Sequence, residues 1–463
     1  MVEGGAAKIT APPEPDHPPW TYLAISLLIL LVIWGGTWEL QAALSWKLDL
    51  NTLLTICALE AGVWSACVFI LRPGPIHTPR VSGCKSLSRE IIQDYYNQEK
   101  PLWHPGGSRA SQTLVLDRSA RLPNPDVVDF TDSHFKYALD PQLEQLQPII
   151  SNYYRSTRKE YKPNDAIAVV TGVTPGDDRI EIGIAKGRLV DEYVTSQNPE
   201  MDYSNCTWPQ STTVAARSVR QFFAHGDGPG GNDGRLPEYP TSQAAESRPA
   251  VRLSAHLVLL LPAPPGTPWE KRRFLLQDRA KRVATGEQGI TSSTGSGMDY
   301  ADAFSRRAAR YQRDNGHGRF TNYVLRELRY EVQILEEELE KLVLVAITRD
   351  LERLGQPVAI LLGEVKPAVT AAELQRRWVR AKNWGGRFFR LKNAIVRRQA
   401  GREYWEAHNL ITHHSIRDIP VLLEDPRLEG GTKACLFYLE QIGADRWNGV
   451  PPWVPSLNRG KAA

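Results

Sequence analysis

Residues 324–342 read VLRELRYEVQILEEELEKL. Apolar side chains fall at Val324, Leu328, Val332, Leu335, Leu339 and Leu342, in steps of four, four, three, four and three. That is the spacing of one buried face on an α-helix, so a helix is expected over Arg326–Leu342. Glu327 and Glu331 are four apart, and a regular helix points two such carboxylates the same way, where they can converge on a hard cation such as Mg2+. Arg326 beside them can orient an acid or a phosphate. Taken alone, RELRYE reads first as an ordinary charged helix face, and only the elements around it reverse that.

Upstream, Leu253–Leu261 (LSAHLVLLL) and Phe274–Asp278 read as strands about a Pro/Gly turn, followed by a Gly/Ser-rich loop, TSSTGSGMDYAD, that carries Gly295 and Gly297. Downstream, LVLVAITRDLERLGQPVAILLGEV reads as a strand hairpin about Gly355 and Pro357, with Glu364 at its far end. Helices are expected at Ala371–Lys382 and Lys433–Gly443. Earlier in the chain, PQLEQLQPIISNYYRSTRKEY from Pro141 has helical spacing, and AIAVVTGV and RIEIGIAKGRLV read as strands joined by TPGDD.

Strand, strand, Gly-rich loop, helix opening Arg-Glu-Leu, then strand hairpin is an order that resembles the Nudix fold, over roughly Val251 to Gly443. The family signature is G-x5-E-x7-R-E-U-x-E-E-x-G-U, with U aliphatic. Arg326, Glu327, Leu328, Glu331 and Ile334 fit its second half, whereas Tyr330 replaces one metal-binding glutamate and Gln333 replaces the glycine. The first half is met only if Ser305 to Gly318 is an insertion between Gly295 or Gly297 and the helix. The resemblance implies a nucleotide pocket near Gly295, Gly297 and Arg326, and Arg279, following a buried strand, reads either as a further phosphate contact or as a surface salt bridge. The resemblance also implies a Mg2+ site drawing on Glu327, Glu331 and Glu364, weakened by Tyr330.

The 463 residues carry 56 Lys+Arg against 52 Asp+Glu, a formal charge of +4 that advertises no direct DNA binding. Five scattered cysteines form no C-x-x-C pair, and adjacent His413 and His414 have no third ligand at metal spacing. A basic run from Arg376 to Arg398, interleaved with Trp378, Trp384, Phe388 and Phe389, suits either an anion or a solvated helix face. Near the N-terminus, Tyr22–Trp38 carries no charge, and Thr52–Leu71 is charged only at Glu60. The first reaches spanning length together with Trp20 and Thr21, and the second holds 20 residues, which matches a bilayer. Arg72, Arg80, Lys85 and Arg89 after the second run put both termini on the cytoplasmic side of an inner membrane. Glu60, costly in hydrocarbon, is either protonated against a neighbouring helix of an oligomer or part of a membrane-disrupting function.

The expected fold is therefore α+β: two N-terminal transmembrane helices followed by a cytoplasmic Nudix-like α/β/α sandwich. A Pro-rich N-terminus covers 1–19, the spans 20–72, a linker or neck 73–140, the first part of the soluble α+β region 141–247, the Nudix-like domain 248–445 and a tail 446–463. This architecture is similar to the transmembrane Nudix effectors of bacterial cyclic-oligonucleotide antiphage systems (CBASS). The resemblance implies a homo-oligomer that binds a cyclic oligonucleotide and then impairs the membrane. A membrane-anchored Nudix pyrophosphohydrolase and a non-catalytic membrane scaffold are the alternatives.

Overall fold

The computed structural model describes residues 111–116, 122–156, 164–176, 178–197, 248–279, 289–306, 316–387, 407–425 and 427–455, with shorter pieces between them. Residues 79–151 and 159–463 cluster as one compact unit. Residues 152–158 group with 1–78, and of these only a helical segment up to Ser156 is described.

Strands β1 (Ser111–Leu116), β5 (Ser254–Leu260), β6 (Phe274–Arg279), β9 (Leu339–Asp350), β10 (Gln356–Val365) and β11 (Ala407–Ile411) form a mixed sheet in the order β1-β9-β10-β5-β6-β11. Short strands β7 (Ile290–Thr291) and β8 (Thr294–Gly297) pair with β6 and β5. Only β5 and β10 run parallel among these pairs. They are also the most continuously apolar stretches of the sheet, because both of their faces are covered. A smaller sheet joins β2 (Val128–Lys136), β4 (Ile180–Arg188) and β3 (Ala166–Pro175) in that order.

Helices α1 (Pro141–Glu144), α2 (Gln147–Ser156), α3 (Leu189–Glu192) and α4 (Val219–His225) lie between the early strands in sequence. After β8 come α5 (Tyr300–Phe304) and α6 (Arg319–Glu327); α7 (Ala371–Arg387), α8 (Ile419–Glu424) and α9 (Gly430–Asn448) follow the hairpin. Strand alternation sends side chains to two cores. Leu257, Leu259, Leu344 and Leu361 meet Phe320 and Val324 of α6 and Val170 and Ile184 of the smaller sheet. Val258, Leu260, Ile360 and Leu362 meet Leu423 of α8 and Leu436, Leu439 and Trp447 of α9 on the opposite side.

Several expectations need correction. Among the described residues no helix is long and apolar enough to cross a membrane. For the described residues the expected two spans leading into a sandwich are therefore corrected to an α+β fold of mixed sheets and helices. The 19-residue helix α9 carries Lys433, Glu440, Asp445 and Arg446, too much charge for an apolar span. The runs at 22–38 and 52–71, with Glu60, lie outside the described residues. The neck over 73–140 contains two strands, since β1 pairs with β9 and β2 with β4. Buried Val128 and Phe130 alternate with exposed Asp129 and Thr131 over too few residues, next to Pro123 and Pro125, to stand out in the sequence. The tail drawn from 446 cuts through α9, whose Trp447 is fully buried.

The helix expected over Arg326–Leu342 is displaced towards the N-terminus. α6 passes into a π-turn over Leu328–Val332, and Gln333, at φ 60°, takes the left-handed conformation that ends it. Leu339 and Leu342 belong to β9, where a strand's alternation happened to continue the helical spacing. A left-handed residue other than glycine costs about 1–2 kcal/mol. Gln333→Gly is accordingly expected to stabilise the fold by about 0.5–1 kcal/mol after glycine's own entropy is counted, read as a rise in urea midpoint.

Candidate functional site

α6 begins where Asp126 accepts hydrogen bonds from Gly318 N (2.8 Å) and from His317 Nδ1 (3.2 Å), while His317 Nε2 lies 2.7 Å from Glu336 Oε1. Burial alone would raise the Asp126 carboxyl; bonds from His317, Thr321 and Gly318 hold it well below the usual carboxylate range. The opposite end of α6 presents Arg326 and Glu327.

Arg326 Nε donates to Glu327 Oε1 at 2.9 Å, and its terminal nitrogens bond both Asp302 oxygens, Nη2 to Oδ2 at 3.1 Å. Its guanidinium lies 5.5 Å from the centre of the Tyr323 ring, whose hydroxyl donates to Ser296 O at 2.8 Å. Glu327 is only 5% exposed. Burial raises its pKa, against the pull of Arg326. Burial works equally against the Arg326 cation, but Glu327 and Asp302 outweigh it and its pKa is raised. The three groups form a closed salt-bridge network.

Glu331 looks elsewhere. Its Oε2 accepts from Gly295 N at 3.2 Å and from Gln277 Nε2 at 3.4 Å, tying the π-turn to β8 and β6. The wider π-turn changes the angular step that a regular helix would have kept between Glu327 and Glu331. Glu364, at an even position on β10 like Ile360 and Leu362, faces the second core, where Arg272 Nη2 reaches Oε1 at 2.5 Å and Trp447 Nε1 donates to Oε2 at 2.9 Å. The three carboxylates expected to share Mg2+ thus have three separate sets of partners. Among the described residues no group of three or more His, Cys, Asp or Glu is placed to hold a metal. A cation would have to displace Arg326 from Glu327, so the residues present do not fit Mg2+.

The other expected contacts are internal as well. Arg279 Nη1 lies 3.3 Å from Glu429 Oε1, in a pair that is mostly buried. Burial opposes ionisation of Glu429, yet Arg279, Arg353 and His256 bring its pKa down to about 2. Gly295 and Gly297 lie in β8 rather than in a loop. Gly297 leaves room for the Arg252 guanidinium, and a Cβ there would collide with it. Arg252 in turn pairs with buried Glu192 at 3.0 Å and with Asp299 at 3.7 Å. Gly297→Ala is therefore expected to lower stability by about 1–3 kcal/mol, measured by thermal unfolding.

Sequence reasoning passed over Arg252, Asp302 and Glu192. A usable signal was the Asp299-x-x-Asp302 capping pattern, which places an acid within reach of Arg326. A groove of about 420 Å³ lined by residues including Leu122, Leu342, Pro452 and Trp453 involves none of the expected site residues. The His413 and His414 ring centres lie 4.1 Å apart with the planes tilted by 45°, and burial lowers the pKa of His414. A scan against protein-family models and a search of curated proteins find no match for this chain.

Proposed function

We propose that the folded unit is a nucleotide-binding sensor that holds its ligand without hydrolysing it, in an effector of the cyclic-oligonucleotide antiviral type. One observation carries this reading: the helix acids that the Nudix resemblance assigns to a metal are committed within the protein, Glu327 to Arg326 and Glu331 to Gly295 and Gln277. A protein that must keep its ligand intact gains from that arrangement, because metal-assisted attack on phosphorus needs carboxylates free to hold the ion. Further support comes from Gln333, whose left-handed backbone stands where the family pattern puts glycine. The membrane step expected from Glu60 and the two apolar runs falls outside the described residues and is no part of this reading.

The test uses the full chain, because a fragment beginning at residue 141 would lack β1 and β2. Thermal unfolding is followed with cyclic di-AMP, cyclic di-GMP and linear dinucleotides, with and without Mg2+, and the mixtures are then chromatographed. The expected result is a raised melting temperature with one cyclic species, recovered intact, since a ligand that binds only the folded state stabilises it. Mg2+-dependent conversion to monophosphates would make the protein a hydrolase, and no shift with any nucleotide would favour the scaffold.

A further inference from the structure

Most of the arginines discussed above are neutralised: Arg252, Arg272, Arg279 and Arg326 each face a carboxylate within 4 Å. A different arrangement lies where α5 packs on the smaller sheet. Tyr300 and Phe304, one turn apart on α5, are half-exposed, with ring centres 5.3 Å apart. Lys186 Nζ sits 5.8 Å from the centre of the Tyr300 ring, and the Arg319 guanidinium 5.5 Å from that of Phe304. Lys136 stands beside Lys186 in the register of β2 and β4. Among the described residues no carboxylate pairs with Lys136, Lys186 or Arg319; the recorded side-chain bond of Arg319 is to Gln312 Oε1 at 3.2 Å. The nearby acid, Asp132, has one oxygen bonded by the Tyr300 hydroxyl at 3.2 Å and the other by His134 N at 2.9 Å.

We propose that this ledge is the nucleotide site, and that it takes a base carrying a phosphate on both sides, as in an oligonucleotide or a cyclic dinucleotide. The inference rests on the nucleotide-sensing reading above and gives that ligand a place. A nucleobase stacks on the Tyr300–Phe304 surface, and base–aromatic stacking tolerates any base. Lys186 and Arg319 swing off the ring faces they cover, and their charged heads meet the two flanking phosphates, with Lys136 reinforcing the lysine end. A mononucleotide can engage one end only. The salt-bridged cluster around Arg326 supplies no comparable site, because its cations are already paired.

Titration calorimetry on the full-length protein, with cyclic di-AMP and AMP as probes at two salt concentrations, tests the assignment. Cyclic di-AMP is expected to bind at least about ten-fold more tightly than AMP. Lys186→Gln and Arg319→Gln, both surface changes, should each weaken cyclic di-AMP by about five-fold or more and reduce the salt slope by roughly one. Phe304→Leu, which keeps an apolar side chain on the core, should weaken it by about five-fold through lost stacking. Wild-type binding of cyclic di-AMP that is unchanged in all three variants overturns the ledge and leaves the sensor reading standing. Equal binding of heparin together with a silent Phe304→Leu makes the ledge a general anion patch and also overturns it. Absence of cyclic di-AMP binding to wild type overturns the ledge, and the sensor reading falls with it only if cyclic di-GMP and the linear dinucleotides also leave the melting temperature unchanged.

Discussion

Replacing Arg326 with methionine is expected to lower stability by about 3–5 kcal/mol at pH 7, because it leaves Glu327 buried without its cation. The pH dependence has a definite sign. Burial raises the Glu327 pKa, and only Arg326 and its hydrogen bonds oppose that rise strongly. An acid whose folded pKa lies above its unfolded value adds stability that is present at low pH and lost as pH rises through the folded pKa. The deficit of the variant should therefore shrink at a second, lower pH, as Glu327 takes up a proton. Urea unfolding at the two pH values measures it. The double change Arg326→Met with Glu327→Leu should recover most of the loss, since a packed apolar pair replaces a buried ion pair at little cost. A loss below about 1 kcal/mol at pH 7 would mean that Glu327 is solvated enough to meet an external cation, which would reopen the hydrolase reading.

The second large effect is expected at Arg279, which its place after a buried strand offers to a phosphate and the structure pairs with Glu429. Glu429 falls from its ordinary 4.5 to about 2, so it contributes about 3 kcal/mol that is present above pH 4.5 and lost as pH falls towards 2. Arg279→Met removes the largest attraction behind that depression and strands a carboxylate that is 3% exposed. A loss of about 3–5 kcal/mol at pH 7 is expected, with a flatter acid limb in the stability profile and unchanged affinity for cyclic di-AMP. A variant that is as stable as wild type yet fails to bind would return Arg279 to the ligand.

How much of this was legible can be traced to particular residues. β5, β6 and the β9–β10 hairpin are long apolar runs between Pro and Gly breaks, and their places were readable because burial on both faces leaves little room for polar residues. β1 and β2 were missed because an edge strand and a half-buried strand need few apolar side chains. The helix was placed too far along because Leu339 and Leu342, in a strand, continued a spacing set by Val324, Leu328 and Val332. Glu327 and Glu331 stand four apart, where an α-helix would pair them, but a π-turn is not encoded in spacing, so their actual partners were not legible. Gly295 and Gly297 looked like a phosphate loop, and no local pattern says that His256 and Arg252, some forty residues away, need the space. Lys186 and Arg319 could not be joined to Tyr300 and Phe304 without the fold, since they come from a separate sheet and a separate helix.

The strand order also has a consequence for how the chain is made. β1 cannot find its partner until β9 has emerged, more than two hundred residues later. At the usual synthesis rate of about 5–20 residues per second, it waits roughly ten seconds to most of a minute. β5 similarly waits for its parallel neighbour β10, and the second face of the sheet stays open until α9 delivers Trp447 near the end of the chain. Such non-local pairing gives slow folding. Through that interval the nascent chain exposes its most apolar strands, so its yield in cells should depend more on chaperone capacity than on the stability of the finished fold.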